Sequence, residues 1–154
     1  MSVFNPVEKS LCLHQLCEAN YARLCRLVPD LARRERAALA TAQGKPALYL
    51  RVVERSPFTL VVELTHDFAA GYEAGMEPAV RLRVCLDART VEMLNDAARP
   101  RVHEALSGDP LPEAVLDYKW SLNYFLSRWL DHCLASRYRF GSEVRETEAR
   151  LASA

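Results

Sequence analysis

Three features of this 154-residue chain predict an α+β fold. A long segment near each end carries apolar residues at helical spacing, the four segments between them alternate like strands, and the links between those strands are short. Strands grouped between helices, rather than alternating with them, favour α+β over α/β, and short links favour an antiparallel meander. The expected architecture is an N-terminal helix, a four-stranded antiparallel meander and a long C-terminal helix packed with the first on the sheet. One domain is expected over residues 5–140, with a frayed charged tail over residues 141–154.

The first helix is read over residues 6–28. Leu13, Leu16, Cys17, Tyr21, Leu24, Leu27 and Val28 share one face, Asn5-Pro6 suits a helix start, and Pro29 stops it. Asn20 breaks the apolar stripe. A buried amide without partners costs about 1–3 kcal/mol, so Asn20 is expected to bond something specific, either a strand carbonyl or else a ligand or partner. Residues 31–45 read as a connector. Its Ala-rich stretch over 31–42, with Arg33, Arg34, Glu35 and Arg36, suits a short helix ending near Gly44, its arginines forming a solvated face.

The first two strands are read over residues 47–55 and 58–66, joined through Ser56-Pro57. In the second, Phe58, Leu60, Val62 and Leu64 should face the core, while Val61 falls on the outer set. After a loop over 67–78 with Gly71 and Gly75, Val80, Leu82, Val84 and Leu86 alternate with Arg81 and Arg83. A turn at Asp87-Ala88-Arg89 leads to a fourth strand over 90–95, and a polar linker over 99–112 delivers the last helix, over 113–136. Val115, Tyr118, Leu122, Phe125, Leu126, Trp129, Leu130 and Cys133 form its core stripe. Trp120 and Tyr124 fall outside that stripe beside Ser127 and Asp131, which suggests a second contact surface, for the tail residues Tyr138 to Phe140 or for another subunit.

Bulk composition narrows the functional classes. The 20 basic and 20 acidic residues cancel, which disfavours nucleic acid, a partner that normally demands a basic excess. No run approaches the roughly 20 apolar residues that span a bilayer, so no membrane role is expected, and the N-terminus lacks a secretion signal. With five cysteines, an odd count, reduced thiols in the cytoplasm are expected. Cys12 and Cys17 lie about 140° apart around the helix, and Cys17 and Cys25 about 80° and two turns apart. They do not converge, and no metal or other cofactor is expected.

Nor does any motif supply catalytic residues. His14, His66, His103 and His132 show no metal-ligand spacing, and Gly71 and Gly75 lie between strands rather than before a helix, where a phosphate cradle would sit. The best acid–base set is Glu54, His66, Asp67, Asp87 and Glu92, with Glu54 and Asp87 at one rim of the sheet. Carboxylates at strand ends are more commonly solvated turn residues.

Several stretches do carry a family pattern: Leu16-Cys17-Glu18-Ala19-Asn20-Tyr21 with Leu24, Arg26, Leu27 and Pro29; Arg83, Asp87-Ala88 and Glu92; and Asn123-Tyr124-Phe125-Leu126 with Trp129-Leu130 and Cys133-Leu134. Together, over residues 7–135, they resemble the YqiB-like family of proteobacterial proteins, a domain of unknown function. The resemblance implies a bacterial cytoplasmic protein and brings no activity with it. The family's genes often lie beside those for an ADP-ribose pyrophosphatase and a cyclic-AMP phosphodiesterase, which implies a setting in nucleotide metabolism or signalling. Cys85-Leu86 stands where that family pattern has Tyr-His.

The resulting expectation is a non-catalytic protein-binding or regulatory module, working through an unknown protein partner or by self-association, with Trp120 and Tyr124 as its surface. The competing expectation is a small-molecule or nucleotide-handling enzyme or sensor, with a site formed by Asn20 and the strand arginines Arg51, Arg81 and Arg83.

Overall fold

A computed structural model describes residues 6–67, 80–94 and 112–141 of the chain. Asn5, the loop glycines Gly71 and Gly75, His103, most of the 99–112 linker and the tail beyond Gly141 lie outside the described residues.

Helix α1 (Pro6–Leu27) buries Cys17, Asn20, Leu24 and Leu27 and leaves Glu8, Gln15, Glu18 and Arg26 in solvent. A single 3-10 turn at Leu31–Arg33 reverses the chain into strand β1 (Ala37–Thr41). The short helix expected over 31–42 is therefore replaced by a strand. Alanine is the best helix former, but the five residues of β1 are too few to hold a helix alone, and pairing with β2 supplies what propensity cannot. Ala37, Ala38 and Ala40 are all buried there. Gly44 adopts φ 72° in the turn to β2, a left-handed conformation that favours glycine.

β2 (Ala47–Arg55), β3 (Thr59–Asp67), β4 (Val80–Cys85) and β5 (Thr90–Met93) then pair antiparallel in chain order. The second helix, α2 (Pro112–Ala135), is followed by a two-residue strand β6 (Arg139–Phe140) that pairs with the far edge of β1. The sheet accordingly has six strands, in the order β5-β4-β3-β2-β1-β6, rather than the expected four. Both extra strands were hidden for the same reason: one is short and Ala-rich, the other only two residues long, so neither shows a period.

Leu48 and Leu50 of β2, Leu60, Val62 and Leu64 of β3, Leu82 and Val84 of β4, and Val91 and Met93 of β5 line the sheet's inner face. They share one core with Leu24, Leu27 and Val28 of α1 and with Leu122, Leu126, Leu130 and Cys133 of α2. Phe58, expected inward, is instead 63 % exposed just before β3 begins.

The two helices run side by side in the same direction. Lys9 meets Asp117 and Arg23 meets Asp131, each at 3.0 Å and each across 108 residues of sequence, so the ion pairs hold one register over about 21 Å of helix.

Candidate functional site: a buried polar seam and an aromatic helix face

Asn20 lies fully buried where α1 meets α2. Its Nδ2 donates to the backbone carbonyl of Asn123 at 3.0 Å, and its Oδ1 accepts from Arg23 Nη1 at 3.2 Å. The expected partner was a strand carbonyl; the actual one belongs to a helix. Asn123, also fully buried, is the pivot of the seam. Its Oδ1 accepts the backbone N–H of Met93 on β5 at 2.9 Å, and its Nδ2 donates to the Lys119 carbonyl at 2.8 Å. Leu94 N–H turns inward to Arg81 O, so the alternating N–H of Met93 points off the open side of β5. Asn123 thus closes a sheet edge that would otherwise bury an unpaired donor.

The strand arginines sit elsewhere. Register places Arg51, Glu63 and Arg81 side by side across β2, β3 and β4, on the sheet face away from the helices. Glu63 accepts from Arg51 Nη2 at 2.9 Å and from Arg81 Nη2 at 2.5 Å. Burial alone would raise its carboxyl pKa, but the hydrogen bonds from Arg81 and Arg51 outweigh that and hold it below the usual range. Arg83 faces Glu92 in register, and Glu92 pairs with Lys119 at 3.2 Å. The structure therefore brings Arg51 and Arg81 together through Glu63 and does not bring Asn20 to them. Of the connector's basic run, Arg34 is buried, bonding Asp30 Oδ1 and the Gly141 carbonyl, while Arg33 and Arg36 remain exposed. Arg55 donates to the carbonyls of Ala32 and Arg34.

The acid–base set is divided between the two ends of the sheet. Glu54 follows a bulge in β2 and opposes Val61, and Asp87 sits in the β4–β5 turn, where its Oδ1 accepts the Ala88 N–H. His66 lies at the opposite end of β3, five residues from Glu54's partner Val61 and therefore about 17 Å away along the strand. Its ring meets Trp129 edge-on, with centroids 5.4 Å apart, and lies 5.8 Å from Tyr138. Burial there, aided by nearby His132, lowers its pKa. Tyr138 in turn donates its hydroxyl to the Pro46 carbonyl at 2.6 Å.

All five thiols are free. Burial pushes Cys17 up to about 11 and Cys133 up to about 12, which suits packing rather than nucleophilic chemistry. Among the described residues no group of three or more His, Cys, Asp or Glu side chains could hold a metal ion, and no helix is long and apolar enough to cross a membrane.

The outer face of α2 differs from an ordinary solvated helix. Trp120 is 41 % exposed, Tyr124 49 % and Phe125 40 %. Phe125, expected in the core stripe, joins Trp120 and Tyr124 on the solvent side, whereas Ser127, expected beside them, is buried and donates its Oγ to the Tyr124 carbonyl. Both departures concern residues near the boundary of the stripe, where 100° spacing alone does not decide the side. Tyr138 to Phe140 do not cover this face: residues 139–140 pair with β1, and Tyr138 packs into the core. Sequence reasoning missed the role of Asn123. Its signal was available, since a second asparagine falls among the apolar positions of the last helix.

This geometry defines an α+β protein in which two parallel helices cover one face of an antiparallel sheet and leave an aromatic surface open. The chain belongs to the family described as "Protein of unknown function (DUF1249)", whose model matches residues 23–139. That span takes in the last five residues of α1, strands β1 to β5, all of α2 and the first residue of β6. No curated protein and no solved structure matches the chain.

Proposed function

We propose that this chain is a non-catalytic protein-binding module of the bacterial cytoplasm and that it docks its partner on the outer face of α2. The observation that carries the reading is the pair of large aromatics Trp120 and Tyr124, one turn apart and left open on a helix whose other side is packed, with Phe125 also exposed about 100° further round. Single exposed apolar residues are ordinary, but a Trp and a Tyr side by side on one face are residues that interface centres favour. The helix beneath is a rigid mount, held by the seam at Asn123 and by the two ion pairs to α1. The cytoplasmic setting is supported by the five free thiols and by the resemblance to YqiB-like proteins.

A photo-crosslinker placed at Ser121, exposed between Trp120 and Tyr124, tests this. In native lysate it should capture a discrete protein, identified by mass spectrometry, and the capture should disappear in Trp120→Ser/Tyr124→Ser chains that retain their circular dichroism. Capture of nothing, or of the same proteins by the double variant, would overturn the proposal.

A further inference from the structure

The outer face of α2 is complementary to itself, and we infer that its partner is a second copy of this chain, packed antiparallel about a two-fold axis at the level of Leu126. The inference rests on the reading of this face as a docking surface. Asp117, Ser121, Tyr124, Arg128, Asp131 and Ala135 follow one another at alternating spacings of four and three, and every one is exposed. That spacing is the seam of a two-helix contact.

Reversing the helix about position 126 maps this seam onto itself with opposite chemistries facing. Tyr124 meets the partner's Arg128, placing a guanidinium over an aromatic ring twice per dimer. Ser121 meets the partner's Asp131, a hydroxyl donor against a carboxylate. Asp117 meets the partner's Ala135. No like charges oppose each other. A parallel pairing would set Asp117 on Asp117, Arg128 on Arg128 and Asp131 on Asp131, so charge alone selects the antiparallel arrangement. Lys9 and Arg23 hold the two aspartates from the α1 side, which fixes the seam before the partner arrives. The chain's zero formal charge removes the long-range repulsion that would oppose self-association. A seam of Tyr, Arg and polar residues without leucine gives a weak dimer, roughly micromolar.

Sedimentation equilibrium of the full chain, over about two decades of concentration around that value, should show a monomer–dimer equilibrium. Arg128→Glu should weaken it by about tenfold or more, and Arg128→Lys far less. For register, chains carrying Ser121→Cys and chains carrying Asp131→Cys are mixed under mild oxidation. The 121–131 crosslink should dominate over 121–121. A wild type that stays monomeric overturns the inference, as does a dimer indifferent to Arg128→Glu or one that crosslinks 121 to 121. A monomer that still captures a different protein through the Ser121 probe leaves the docking surface standing and removes only the second copy. A monomer that captures nothing removes both.

Discussion

Replacing Asn123 with alanine removes the side chain that accepts a backbone N–H from the edge strand of the sheet. Three bonds meet at this residue, and they are not equal. The Asn123 carbonyl that receives Asn20 Nδ2 belongs to the backbone and survives the substitution. The Lys119 carbonyl that receives Asn123 Nδ2 keeps its place in the helical ladder. What is lost without replacement is the acceptor for Met93 N–H, in a setting where Asn123 is fully buried and Met93 nearly so. A stranded buried donor costs about 1–3 kcal/mol, and the vacated volume adds to it, so the expected loss is about 2–3 kcal/mol. Asn20→Ala strands no strand donor. Its two bonds go to a helix carbonyl already in the ladder and to Arg23, which keeps Asp131, so its expected cost is about 1 kcal/mol.

Urea unfolding followed by circular dichroism measures both differences, provided the slope of the transition stays constant. Amide exchange provides the more specific reading. In Asn123→Ala the Met93 amide should lose protection more than Leu94, whose N–H is held by Arg81 O on the inner side of the strand. Equal costs for the two asparagines, or a Met93 amide as protected as before, would refute the assignment of Asn123 as the edge closure.

Two further predictions concern titration and thiol access. His66 has its pKa lowered by burial and by His132, so the unfolded chain binds the proton more readily; its contribution to stability is complete above the ordinary histidine value of about 6.5 and is lost as pH falls through the lower folded value. Stability measured across that range should decline on acidification, and His66→Gln should flatten the decline. Under native conditions thiol reagents should modify the half-buried Cys12, Cys25 and Cys85 well before Cys17 and Cys133, whose thiols stay protonated at about 11 and about 12; mass spectrometry after limited alkylation reads the order, and early modification of Cys133 would contradict its packing.

Much of this fold is legible from periodicity because both periods are well displayed. The Leu82–Val84 alternation and the Leu122–Leu126–Leu130 repeat each mark a face that is in fact buried. β1 was not legible. Ala37, Ala38 and Ala40 are all buried, so no alternation exists to read, and local propensity pointed to a helix. β6 is too short for any period and exists because Ala40 and Thr41 offer it an edge. Phe125 was misplaced because a residue at the margin of an apolar stripe is assigned by the width of the neighbouring element, which spacing does not contain.

The candidate site shows a sharper version of the same limit. Asn20 announces itself as a polar residue on an apolar stripe, and the energetic argument that it must be bonded needs nothing beyond the sequence. Its partner lies 103 residues away, on a helix that ordinary patterning places against the sheet without specifying direction. Parallel or antiparallel packing of α1 and α2 would bury the same leucines; only the parallel arrangement brings Lys9 to Asp117 and Arg23 to Asp131 at equal separations. The polar residues, not the apolar ones, therefore select how the two helices meet. They also decide which side of α2 remains outside. With the Asn123 side chain tied to β5 and Asp131 to Arg23, Trp120 and Tyr124 are left 41 % and 49 % exposed. The same buried amide that closes the sheet thus orients the aromatic surface on which the proposed function depends.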